Sequence, residues 1–389
     1  MSDVIVVGAG PVGVMVAAEL ARLGVAASVI DGRENPSAGT RAVGLHAAAL
    51  SALEDSGATE RLLADARRVR TGVATAQGRP LGSVHFDRLR SRHPYVATLP
   101  QHATEAALAA TADFWGAPDV RRGVTATRVA QAGASRVDLE LRDRDGAMVI
   151  EHTPLVVIAT GSRGRAISPL TGAVRTRNYP DRYLMTDAPD TSDDGDSAIV
   201  RLEADGVLES FPLPGGMRRY VAWVESGGVE AGDAAADRLR SIVARRMGTE
   251  RGAESITWAT SFGVRRALVS AMRAGRVFAI GDAAHEVSPI GGQGMNLGLV
   301  DAATLAPLLA RWVREGAAPE TELARWERSR LAAAVLSGRI AAANTVLGRA
   351  LTGVPDRARR TAVRLALGGK SGDVLARAYA MGFDPAARS

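Results

Sequence analysis

Residues 275–296 read GRVFAIGDAAHEVSPIGGQGMN. A short apolar run, Val277–Ile280, stops abruptly at Gly281-Asp282. A loop carrying Pro289, Gly291, Gly292 and Gly294 follows, and then Leu299, Ala303, Ala306, Leu309 and Val313 recur at helical spacing. The pattern predicts a strand that ends in a carboxylate and faces a glycine-lined helix start. A carboxylate there suits polyol hydroxyls. Backbone N–H groups left uncovered at the positive end of a helix suit an anion or a developing negative charge.

The N-terminus supplies a second pattern. Val4–Val7 is a β-branched run ending in Gly8-Ala9-Gly10-Pro11-Val12-Gly13, and a helix of small apolar residues is expected to Leu23, stopped by Gly24. A strand over Val25–Ile30 then ends at Asp31, followed by Gly32 and Arg33. This is the dinucleotide-binding strand–turn–helix–strand unit. Gly8 serves the tight turn, Gly10 the approach of a pyrophosphate and Gly13 the helix–strand packing. Asp31, eighteen residues after Gly13, falls near the spacing of the acid that bonds the adenosine ribose. The unit alone does not distinguish NAD from FAD. The 275–296 stretch decides for FAD, because a reduced flavin offers both ribitol hydroxyls and negative charge at the pyrimidine end of its ring.

Composition bounds the rest. The chain has 389 residues, 46% of them hydrophobic, enough for two domains or one large discontinuous one. The formal net charge of +6 comes from acids and bases interleaved along the sequence, and aromatics are only 4%. That pattern suits a solvated, arginine-rich surface and argues against a nucleic-acid groove. Cysteine is absent, which excludes disulfides and thiolate metal sites, and the six histidines show no ligand spacing. No leader-like N-terminus and no apolar run of ~18 residues stands in the sequence, so a cytoplasmic protein without a membrane span is expected.

The 275–296 stretch closely resembles the Gly-Asp motif of the FAD-dependent aromatic hydroxylases, the para-hydroxybenzoate hydroxylase-like monooxygenases. Further segments follow in that family's order. Thr40-Arg41-Ala42 resembles its Arg-Ala segment, in which the arginine crosses the flavin pyrophosphate, and a helix from there to about Leu53 is expected, with His46 a packing residue. Pro94–Gln101, with Glu105 beyond, resembles the segment whose glutamine bonds FAD. Trp326-Glu327-Arg328-Ser329-Arg330 resembles a helix that packs behind the flavin domain. The match runs from residue 4 to residue 330. It departs at one place: after the Leu155–Ala159 strand the family has Asp-Gly, then a serine and an arginine. Here Thr160 replaces the aspartate, Gly164 the serine, and Arg165 is displaced, while Gly161 remains.

The resemblance implies an α/β fold: a Rossmann-like FAD-binding domain, an inserted, mostly antiparallel β-sheet substrate domain and a helical C-terminal segment. The expected division is 1–72, 93–165 and 271–330 for FAD, 73–92 and 166–270 for substrate, and 331–389 for the helical segment, read as amphipathic helices with a solvated basic face. Residues 120–129, 136–142 and 147–151 read as a β-meander. The resemblance further implies that NADPH or NADH reduces FAD and that O₂ adds as a flavin C4a-hydroperoxide. That species delivers oxygen to an electron-rich phenolic, polyketide-like or polycyclic molecule. The expected cofactor contacts are Gly8, Gly10, Pro11, Val12, Gly13, Asp31, Gly32, Arg33, Arg41, Gln101, Val124, Gly161, Gly281, Asp282, Pro289, Gly292, Gly294, Met295 and Asn296. Pro289, Gly291 and Gly292 form the ring environment, and no general base is assigned. Substrate-lining candidates are Tyr183, Met185, Phe211, Leu213, Tyr220 and Trp223. A monomer or homodimer is expected. A redox-neutral flavoprotein on the same fold, a cyclase or flavin-binding scaffold, is the alternative that Thr160 motivates.

Overall fold

The structure is a computed structural model, and it describes residues 2–35, 42–167, 170, 174–225 and 231–384. Its first layer is a six-stranded sheet in the order Arg273–Ala274, Val277–Ala279, Leu155–Ile158, Val4–Val7, Ala27–Asp31, Val120–Arg122. All neighbours are parallel except the first pair, with Val4 level with both Leu155 and Ala27. The central strands are apolar at every position because both faces are covered. On one face Val4, Val6 and Val157 meet the helices Pro11–Arg22 and Gln293–Glu315. On the other, Ile5, Val7 and Ile158 meet Val129, Val137 and Leu139 of a three-stranded antiparallel sheet. Each such fully buried side chain contributes about 1.5–3 kcal/mol.

That smaller sheet, Thr125–Ala132, Arg136–Arg142 and Met148–Thr153, is the expected meander minus its first residues. Val120–Arg122 instead extend the parallel sheet beside Asp31, and the chain turns at Gly123 before starting the meander. The helix expected from residue 40 starts only at Ala47. Gly44–Leu45 before it is a strand paired with Val96–Thr98, which takes up the backbone groups a helix would have used.

The second layer is a nine-stranded sheet. Its path is Ala231–Gly232, Ala259–Leu268, Arg175–Pro189, Met217–Val224, Gly206–Leu213, Ala198–Glu203, Thr71–Ala76, Arg79–His85, with His285–Glu286 joining Ala259–Leu268. Residues 71–85 thus pair with strands more than a hundred positions later, in parallel along Ala198–Glu203. The region also holds a helix that the sequence reading did not place. Asp233–Met247 is a helix, and its Ala235, Ala236, Leu239, Ile242 and Val243 cover one face of the sheet against Leu184, Leu208 and Tyr220.

The C-terminal helices cover the opposite face. Glu320–Leu347 spans both layers: Leu323 and Trp326 sit in the first core, with Trp326 edge-on to Phe278 at 6.2 Å between ring centroids. Beyond it, Val207 N donates to Gly348 O at 2.8 Å and Val363 packs with the sheet's apolar residues. Leu367 fills the space over Gly82, so closely that a Cβ on that glycine would lie 2.6 Å from it. The tail is therefore a roof on the sheet. Arg359 in it is buried and bonds the carbonyls of Leu347, Arg349 and Glu203.

Candidate FAD and substrate site

The Gly8–Gly13 turn is set by close approach. Gly8 has φ +106°, and a Cβ there would stand 2.5 Å from Ala159 O, where the neighbouring strand ends. A Cβ on Gly13 would stand 1.8 Å from Gly8 O. Gly10 differs: it caps the Pro11–Arg22 helix with no side-chain bond, and a Cβ on it would meet nothing within 4 Å. The helix start is thus left open toward a groove, with no acid in its first turn. Val12 is a wedge, 3.3 Å from where a Gly281 Cβ would be and 2.5 Å from that of Gly298, so it fixes the two glycine motifs against each other.

Asp31 stands at its strand end as expected, but its carboxylate is already occupied. Ala9 N donates to Oδ2 at 2.8 Å, Arg33 N and Nε donate to Oδ1 at 2.8 and 3.0 Å, and an Arg33 terminal nitrogen donates to Oδ2 at 2.8 Å. Burial works against the charge, yet these donors hold the carboxyl below its ordinary range. All four lone-pair positions are used. A ribose hydroxyl reaches Asp31 only when the half-exposed Arg33 side chain swings away. Gly32 abuts Thr125, and Val124 offers only an apolar side chain to the second core, its N–H bonding Asp31 O. Arg41 lies outside the described residues. Gln101, at the start of the Gln101–Phe114 helix, accepts from Ala42 N at 3.4 Å and donates to Glu105 at 2.9 Å, which places it beside the end of the Arg-Ala segment.

At the other end, Gly281 and Ala283 are buried while the Asp282 side chain is exposed, 3.7 Å from where a Gly294 Cβ would be. The carboxylate therefore faces the start of the Gln293–Glu315 helix. Gly292, with φ +66°, caps that helix, Gly291 has φ +96°, and Pro289 is half-buried before them. No acid occupies the helix's first turn. Met295 packs on the first core. Asn296, expected as a cofactor contact, has its side chain engaged within the protein: it is fully buried, donates to Gly44 O and Gly292 O at 2.7 and 2.9 Å, and accepts from His46 N at 2.8 Å. Asn296 therefore fixes the glycine loop to the Gly44–Leu45 strand. His46, beside Gly292 and buried, has its pKa pushed down to about 4 by burial and stays neutral.

Two supports of this loop have no counterpart in the sequence reading. Arg165, the displaced arginine, donates to Asp282 O at 2.6 Å, Ala283 O at 3.2 Å and Glu286 at 3.0 Å, tying the turn from the Gly161 side. Behind the turn, Asp301 accepts from Gly281 N at 3.0 Å and from His285 Nε2 at 2.5 Å, and Arg330 Nε reaches it at 2.8 Å. Arg330 also bonds Asp384 near the C-terminus. The signal for these was present in the composition of the motifs: a histidine inside the Gly-Asp stretch, an aspartate on its apolar helix and an arginine in the segment behind it. Glu327 of that segment accepts from Met272 N and Arg273 N at 2.7 and 3.0 Å, anchoring the strand that leads into Gly281.

The substrate candidates divide by face. Tyr183, Met185, Phe211 and Trp223 lie on the side of the nine-stranded sheet that meets Ile290 of the glycine loop. Alternation puts Leu213 there too. Tyr220 does not belong with them. It points to the opposite face, under the Asp233–Met247 helix, one position out of phase with Val221 and Trp223. Asp181 holds Trp223 Nε1 at 3.0 Å and Arg349 at 2.8 Å, so Trp223 is oriented through a polar tie.

A family model described as an FAD binding domain matches residues 1–337. The chain belongs to that FAD-binding family. It is 34% identical over 326 residues to the 6-methylpretetramide 4-monooxygenase of Streptomyces rimosus, an alignment covering 82% of this chain and 57% of that protein. It is 33% identical over 336 residues to a rifampicin monooxygenase of Rhodococcus hoagii, covering 85% and 68%. Among solved structures, the OxyS anhydrotetracycline hydroxylase of Streptomyces rimosus superposes with a TM-score of 0.77 at 26% identity, over 98% of this chain and 76% of that one. The chain spans little more than half the length of the first of these relatives. The residues present fit FAD: an open, acid-free helix start at Gly10 for the pyrophosphate, and an exposed carboxylate at Asp282 for the ribitol. The acid-free helix start at Gly292 suits the flavin's negative end. No helix among the described residues is long and apolar enough to cross a membrane.

Proposed function

We propose that this protein is an FAD-dependent monooxygenase that uses NADPH or NADH and O₂ to insert one oxygen atom into a phenolic, polyketide-like or polycyclic small molecule. Bound FAD, once reduced, supplies the activated oxygen. Residues 1–72, 93–165 and 271–330 hold the cofactor. The sheet of 73–92 and 166–270, roofed by 331–389, holds the substrate. Asp282 bonds the ribitol, the helix start at Gly292 takes the negative charge of the reduced ring, and Pro289 borders the reacting edge. Arg165 and Asp301 keep that loop in place. Packing of the tail over the sheet excludes water from the reacting centre.

The observation that carries this reading is the meeting of the Pro289–Gly292 loop, through Ile290, with a sheet face bearing Tyr183, Met185, Phe211 and Trp223. A planar polycyclic substrate suits an aromatic-bearing face beside a flavin. The relatives named above, whose printed activities are oxygenations of tetracycline-type precursors and rifampicin, support it. The test is turnover under ¹⁸O₂ with NADPH and a panel of polycyclic phenols. A product heavier by one labelled oxygen is the expected result. Conversion of a panel compound without label, or with no NADPH consumed, would favour the redox-neutral alternative instead.

A further inference from the structure

Among the described residues, the sheet face that meets Ile290 carries three carboxylates, and two are neutralised. Asp187 is gripped by Arg219 at 2.6 and 2.7 Å, and Asp181 by Arg349 at 2.8 Å. The third is Glu209. Alternation along Gly206–Leu213 sets it in line with Val207, Phe211 and Leu213, level with Val200 on one neighbouring strand and Val221 on the other. Among the described residues it has neither a hydrogen-bond partner nor a counter-ion. The residue is not sealed, however: it keeps part of its surface accessible.

A carboxylate without a counter-ion in such a place, its charge opposed by burial, is a candidate functional group. Around it are groups suited to a phenol. Tyr379, from the roof, donates to Asn344 Oδ1 at 2.7 Å, and Asn344 Nδ2 lies 3.3 Å from where a Gly291 Cβ would be. That chain leads from the neighbourhood of Glu209 to the glycine loop. Tyr183, two strands across on the same face, has its Oη buried with no properly aligned partner. Burial raises the phenols of both Tyr183 and Tyr379, and the Glu209 charge adds to each shift.

We propose that Glu209 is the substrate's proton acceptor, its carboxylate taking the hydrogen bond and then the proton of a phenolic or enolic hydroxyl on a polycyclic substrate held between the sheet and the Pro289–Gly292 loop. This rests on the monooxygenase reading above. The substrate O–H bond breaks, a Glu209 O–H bond forms, and the electron pair left on the substrate oxygen enriches the ring carbon that accepts oxygen. The proton parked on Glu209 and the hydrogen delivered as hydride by NAD(P)H carry the second atom of O₂ away as water, and one solvent proton completes the new hydroxyl. The later shift of the ring C–H proton to the product oxygen changes no total. NAD(P)H is the reductant and O₂ the oxidant.

Burial pushes the Glu209 carboxyl up to about 7, so it is a neutral acid below that pH and an acceptor above it. Other charged or titratable groups near it do not blur this. Tyr183 and Tyr379 stay protonated, and the Asp181–Arg349 and Asp187–Arg219 pairs are internally neutral. On the strand Arg67–Val69 beside Gly206–Leu213, Arg67 pairs with Asp196 and Arg68 stacks on Tyr95. Arg266 lies three strands away in the sheet order, about 14 Å.

The experiment is calorimetric binding of a dihydroxyanthraquinone and of its dimethyl ether to the oxidised holoprotein between about pH 6 and 8. For unmutated protein, affinity for the free phenol should fall about tenfold or more as the pH drops through 7, the loss of one charge-assisted hydrogen bond. The ether, which has no proton to give, should bind without pH dependence. In Glu209→Gln with normal FAD content the phenol's dependence should vanish. Because the two-ligand comparison uses unmutated protein, it stands even if the variant does not fold. Binding of the phenol that ignores pH in the unmutated protein, or a dependence unchanged in Glu209→Gln, would overturn the role of Glu209 and leave the monooxygenase reading intact. Failure of unmutated protein to bind either compound would instead remove the polycyclic-substrate reading on which the role rests.

Discussion

Gly164 lies directly against Thr160: a Cβ on Gly164 would stand 2.2 Å from Thr160 Cβ and 1.9 Å from its Oγ1. The two departures from the family pattern are therefore one structural event. The Gly161–Ile167 turn brings position 164 onto position 160, so the β-branched Thr160 leaves no room for a side chain at 164. Thr160 Oγ1 is buried there without a partner. Gly164→Ser, which restores the usual residue alone, should cost about 1–3 kcal/mol by overpacking. Adding Thr160→Gly should recover most of that. Thermal unfolding of the single and double variants checks it, and an unchanged Tm in Gly164→Ser would contradict the packing described.

Asp282 is exposed between two buried neighbours, with its carboxylate toward the start of the Gln293–Glu315 helix. Asp282→Ala should purify folded but largely without flavin, because the ribitol partner is lost. The ratio of visible flavin absorbance to protein, with circular dichroism as the folding control, reads this directly. Full flavin content in the variant would remove the role assigned to Asp282.

The His285–Asp301–Arg330 cluster should govern stability rather than redox chemistry. Burial opposes charge on both His285 and Asp301. Their mutual attraction nevertheless holds Asp301, with Arg330's help, down to about 2, and holds His285 above its ordinary 6.5 against the repulsion of Arg330. Asp301's contribution is therefore complete above its unfolded value of about 4 and is lost as the pH falls toward 2. That of His285 is complete below about 6.5 and is lost as the pH rises past its elevated folded value. Asp301→Asn leaves Arg330 and His285 without their shared carboxylate and should cost about 3–5 kcal/mol, with the loss largest between roughly pH 4 and 6.5. Urea unfolding at several pH values measures it. A loss that is the same at pH 9 as at pH 5 would show that the pair is not charged.

Much of the cofactor half was legible because its chemistry needs particular residues at strand ends. Gly8, Gly13, Asp282 and the glycines before Gln293 announce themselves without any tertiary knowledge. What could not be read was which partner each polar group takes. Asp31 is spaced as a ribose ligand, yet Arg33 two residues on occupies it, and Asn296 looks like a ligand but ties backbone to backbone. In the sheet, period-2 alternation was visible, but Tyr183 and Tyr220 could be sorted only once the Asp233–Met247 helix showed which face it covers. That helix carried its own signal in Ala235, Ala236, Leu239, Ile242 and Val243, masked by the strands on either side. Glu209 was legible in one respect, as an acid at an inward position between Val207 and Phe211. No local rule says that nothing pairs with it, since that depends on strands and a roof distant in sequence.

The central claim is that this chain's flavin is reduced by a nicotinamide cofactor to activate oxygen for a phenolic or polycyclic substrate. The most direct test is anaerobic mixing of the flavin-loaded protein with NADPH, following bleaching of the visible flavin band with and without a panel of such compounds. Bleaching that a panel compound accelerates is the predicted result, and it identifies the substrate class at the same time. A flavin that stays oxidised under every condition would contradict the account and assign the Thr160–Gly164 turn to a flavoprotein that works without direct reduction.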